Sequence, residues 1–113
     1  TNWPIIIMHY LAWLKHCDTP MVRLNLAVAY AHNDNFKDAF KQTSTVAEHK
    51  QLSSRSSLFA TLSYIHAVAN EVDMALANFN KAVDAGLNIK DQASLQAQLG
   101  LFLPIDSLKP IPY

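Results

Sequence analysis

The chain has 113 residues, half of them apolar and 16% charged, and its nine Lys/Arg balance nine Asp/Glu to a net charge of zero. That length fits one domain that buries roughly 60% of its unfolded surface, and the even charge balance argues against duplex DNA or an anionic membrane as an electrostatic partner. Cys17 is the single cysteine, so no internal disulfide can form, and no apolar run reaches the length of about 20 residues that a membrane span needs. A reducing, cytoplasmic location is the expectation. Ile5-Ile6-Ile7-Met8, leading into His9 and Lys15, fits no signal peptide. Thr1 is not an initiator residue, which reads as a piece of a longer protein.

In chain order, Thr1-Asn2-Trp3-Pro4 opens a helix, with Asn2 or Thr1 as cap and Pro4 in the first turn. Ile6, Tyr10, Trp13 and Leu14 recur at helical steps with Ile7 and Leu11 beside them, and the helix fades by His16-Cys17-Asp18. That face needs a neighbour. The next stretch, Thr19 to Ala31, is the centre of the chain. Leu24, Leu26, Val28 and Tyr30 alternate as a strand would, yet the run is long, alanines fill its gaps, and Thr19-Pro20 is a helix start. It is predicted as a helix, turning at Asn33-Asp34-Asn35 into an amphipathic second arm through Phe36, Ala39, Phe40, Thr43, Val46 and Ala47.

Glu48 to Ser57 is the most polar part and reads as a loop or cap. A helix from about Ser57 to Ala69, a turn at Asn70-Glu71 and a helix from about Val72 to Ala85 make a second pair, and Gly86 is placed as its left-handed stop. Asn88 or Asp91 caps a last helix that Gly100 ends. Leu101-Phe102-Leu103-Pro104 is apolar enough to fold back, and residues 104–113 form an irregular tail with a loose end.

Shifted by 36 residues, the chain lays Ala39 on Ala75, Ala27 on Ser63, Leu26 on Leu62 and Tyr30 on His66. This is the pattern of a tetratricopeptide-type helix pair, whose small residues let two helices approach closely. Phe59, Leu62, Ser63, His66, Ala75, Phe79 and Ala82 follow the pattern well, whereas Arg23, Thr43 and Val46 weaken it in the first copy. The predicted fold is all-α: about six helices, in antiparallel pairs stacked as a short right-handed superhelix. One domain spans 1–103, with repeats at 20–53 and 56–89 and capping helices at 2–17 and 89–99.

The first helices of the pairs line the inner wall of such a stack, through Leu24, Val28, Ala31 and His32 in one copy and Ala60, Tyr64 and Ala67 in the other. The wall is mostly apolar and lacks a carboxylate clamp of Lys and Asn, so a partner there offers an apolar helix or segment. The alternative is that the first helix or an upstream domain covers the wall. Asn25, polar within an apolar helix, either bonds a neighbouring helix or loop or reaches a ligand across the wall. Together Leu24, Asn25, Val28, His32, Ala60, Tyr64 and Ala67 form the candidate protein-interaction surface.

Catalytic and metal chemistry find no pattern. His9, His16, His32, His49 and His66 lie on different helices without ligand spacing, so no metal is expected, and His66 reads as a packed, hydrogen-bonded core histidine. Cys17 has no local base and reads as a buried or half-buried inert thiol. Two glycines cannot build a phosphate loop. Glu71 with Asp73, and Asp34 with Asp38, read as solvated caps at helix starts. No cofactor is implied.

The run Thr1-Asn2-Trp3, Ile7, Tyr10 and Thr19-Pro20-Met21-Val22-Arg23-Leu24-Asn25-Leu26-Ala27-Val28-Ala29 resembles the C-terminal extension of one group of bacterial extracytoplasmic-function RNA polymerase sigma factors. There a T-D-W stretch precedes a helix and then S-P-x-V-x-L-N-R-A-V-A. Leu58 to His66 and Ala75, Phe79 and Ala82 match the later part of the pattern, so the similarity spans roughly residues 1–100. Asn2 stands for the aspartate and Leu26 for the arginine. The resemblance implies a non-catalytic regulatory or protein-interaction module in transcription initiation, meeting the sigma domains of its own chain or core RNA polymerase. Basic residues scattered along the chain, with no basic recognition helix, argue against direct DNA binding by this stretch, and the absence of a long apolar run argues against a membrane span. A free-standing tetratricopeptide adaptor for an apolar peptide or helix is the alternative.

Overall fold

A computed structural model describes residues 1–48 and 55–103. Among them the chain is all-α, with six helices and no strand: α1 (Trp3–Leu14), α2 (Pro20–His32), α3 (Phe36–Glu48), α4 (Arg55–Val68), α5 (Val72–Asp84) and α6 (Ile89–Leu99). The fold is repeat-like, as the 36-residue offset predicts. The chain divides into two compact units, Thr1–Ser54 and Arg55–Tyr113.

Local chemistry sets the helix ends. Asn2 and Thr19 accept hydrogen bonds from the N–H groups of Ile5 and Val22, and proline occupies the first turn of both α1 and α2. Each cap satisfies a donor that the helix itself cannot. Of the two candidate caps for α6 it is Asn88 that acts, its Oδ1 accepting from Asp91 N–H and its Nδ2 donating to the Asp91 carboxylate. Asn35 does the same for α3 with Asp38. Arg55, Ser56 and Ser57, assigned to a loop or cap from their polarity, are helical, while the rest of that stretch after Glu48 lies outside the described residues. Pro104 and the irregular tail lie outside them too.

Within each unit a helical hairpin repeats one turn. Asp34 and Asn70, 36 positions apart, have φ of 59° and 62°. Asp34 N–H donates to Ala31 C=O and Asn35 N–H to Tyr30 C=O, at 3.1 and 2.9 Å. Asn70 to Ala67 and Glu71 to His66 repeat this at 2.9 and 2.8 Å. These are the paired bonds of a left-handed helix stop, which returns the chain in two residues. Gly86, φ 102°, ends α5 the same way, with Leu87 N–H on Ala82 C=O.

The hairpin arms meet at small residues. Ser63 and Ala75 are fully buried, and the Ser63 hydroxyl donates to the Ala75 carbonyl at 2.7 Å, so the α4 side chain touches the α5 backbone. At the equivalent positions Ala27 and Ala39 are fully buried as well. In the first unit Ile7, Leu26 and Ala29 form a core with Trp3, Ile6, Tyr10, Leu14 and Tyr30 around it, which gives α1 the cover its inner face requires. Arg23, where the repeat expects an aromatic, instead forks onto Asp18 at 2.7 and 2.9 Å and donates to Gln42 of α3 at 2.9 Å. In the second unit Ala67, Ala75, Leu95, Leu99 and Leu103 form the core, ringed by Ala60, Tyr64, Val72, Phe79, Leu87 and Phe102.

Candidate functional site

In the first unit α2 presents its four candidate residues very differently. Leu24 is buried, Val28 and His32 are half-buried, and Asn25 is exposed. The exposed Asn25 stands at the surface of the helix rather than inside an apolar contact. The His32 ring stacks on Trp3 at 4.3 Å between centroids and 7° between planes, joining the end of α2 to the start of α1. Burial lowers the His32 pKa, because the neutral imidazole is the form that tolerates the loss of water.

In the second unit Ala67 is buried, and Ala60 and Tyr64 are half-buried. Both pack against the core that α6 and Leu103 complete. Phe102 meets the Tyr64 ring edge-on at 5.6 Å, so the segment after α6 folds back as its composition predicts, although Leu101 points outward. Burial raises the Tyr64 hydroxyl pKa for the same reason that it lowers that of an imidazole. Much of this stretch of α4 therefore serves the unit's own packing. The two groups of candidate residues belong to different units, each with its own surroundings.

The feature that periodicity alone misses is the outer face of α1. Its inner side seats Trp3, Ile6, Ile7, Tyr10 and Leu14 on α2. The rest of its circumference is apolar too: Ile5, 46% exposed, Met8, 60%, and exposed Ala12 share the opposite side, while Leu11, 39%, with exposed Pro4 and Trp13, 56%, lie on its two flanks. Trp13 and Leu11, placed by spacing in the covered stripe, are exposed on its flanks. The Trp13 ring lies parallel to Tyr10, at 6.3 Å and 2°, which holds the indole against its own helix. His9 is the one polar side chain within the face.

The polar groups singled out from sequence have structural partners or lie in solvent. His66 is half-buried and its Nδ1 sits 3.1 Å from Glu71 Oε1 across the second hairpin turn. Asp38 receives Asn35, as above, and Asp34 and Asp73 are exposed. Cys17 is exposed, contrary to the expected buried or half-buried thiol, because α1 ends at Leu14 and leaves it in the connection to α2. Buried Asn78, not foreseen from sequence, donates to Met74 C=O one turn back in α5 at 2.9 Å. Among the described residues no group of three His, Cys, Asp or Glu could hold a metal ion, and no helix is long and apolar enough to cross a membrane. His49 lies outside the described residues.

No protein-family model matches the chain, and no curated protein or solved structure matches it either.

Proposed function

We propose that this chain is a non-catalytic protein-interaction module of the kind found behind the polymerase-binding domains of extracytoplasmic-function sigma factors, acting in transcription initiation through contacts with protein. One observation carries the reading. Residues that bear the resemblance are also capping and packing residues of α1 and α2: Thr19 starts α2, and Trp3, Ile7, Tyr10 and Ala29 join the two helices. The motif thus has a physical role in building one helix pair, and what it leaves for a partner is surface.

Charge supports protein over nucleic acid. Lys37 and Lys41 share α3, Lys15, Arg55, Lys81 and Lys90 are exposed on four other stretches, and Arg23 is engaged with Asp18, whereas duplex binding leans on several phosphate contacts from one basic face. The test is a pair of low-salt titrations of the chain, one with duplex promoter DNA and one with the separately expressed core-binding and promoter-binding domains of an extracytoplasmic-function sigma factor. Binding to the protein domains and none to DNA is the expected outcome. Tight, salt-sensitive binding to DNA with none to the protein domains overturns the proposal.

A further inference from the structure

We draw no further inference here: the strongest candidate, the apolar outer side of α1 formed by Ile5, Met8 and Ala12, carries nothing because nothing in the structure shows what covers it.

Discussion

Replacing Ala75 by leucine tests the hairpin contact directly. The substitution adds three carbon atoms to a fully buried residue on the line where the Ser63 hydroxyl lies 2.7 Å from the Ala75 carbonyl. Were there room, burying them would stabilise the fold by about 2 kcal/mol. The hydroxyl–carbonyl bond sets the helix separation, however, so leucine must either part α4 from α5 or take a strained rotamer. Parting them forfeits the Ser63 bond, about 1 kcal/mol, and overpacking of this kind costs about 1–3 kcal/mol. A net loss of about 2 kcal/mol is expected. In urea, with a slope of about 1–2 kcal/mol per molar for a small protein, the midpoint of the far-ultraviolet dichroism falls by about 1–2 M. Ala77→Leu is the matched comparison, since Ala77 is exposed on the same helix and the change should stay within about 0.5 kcal/mol. Equal midpoints for Ala75→Leu and the parent, or equal shifts for the two variants, refute the close contact.

Gly86→Ala isolates backbone strain: a Cβ built at this residue meets nothing within 4 Å, yet φ is 102°, so the cost is conformational, about 1–2 kcal/mol, and an unchanged thermal midpoint would contradict it. For His32 the sign follows from a folded pKa below its ordinary value of 6.5. Its contribution to stability is complete above about pH 6.5 and is lost as pH falls toward and through the lowered folded value, because the unfolded chain takes up the proton first. His32→Phe should flatten the decline in denaturation midpoint between pH 7.5 and 5; parallel profiles for variant and parent would show that His32 titrates alike in both states.

Helix positions were legible because they rest on local chemistry. Thr19-Pro20, Asn2, Asn88 and Gly86 act within three or four residues of themselves, and their roles follow from residue type. The left-handed stops at Asp34 and Asn70 were less visible, since each carries a side chain where glycine is the common signal. The 36-residue offset was legible, and Ser63 on Ala75 is its physical counterpart. The faces were harder. α1 is apolar nearly all round, so periodicity could not say which side meets α2, and it placed Trp13 and Leu11, exposed on the flanks, with the covered stripe. The covering of Ala60 and Tyr64 depends on α6 and Phe102, some forty residues downstream, which no local pattern reports.

The left-handed stops also bear on how the chain acquires its shape. Each closes a hairpin whose key contact spans a short stretch of sequence, as Ser63 and Ala75 do, so the entropy lost in joining the arms is small. Domains rich in such local contacts fold in microseconds to milliseconds. Synthesis adds only about 5–20 residues per second, so each pair of arms can close as soon as its second arm has left the ribosome. The Asp34 turn can then bring α2 onto α3 before the second hairpin has emerged from the ribosome, and fully buried Ala27 and Ala39 are withdrawn from solvent ahead of Ser63 and Ala75.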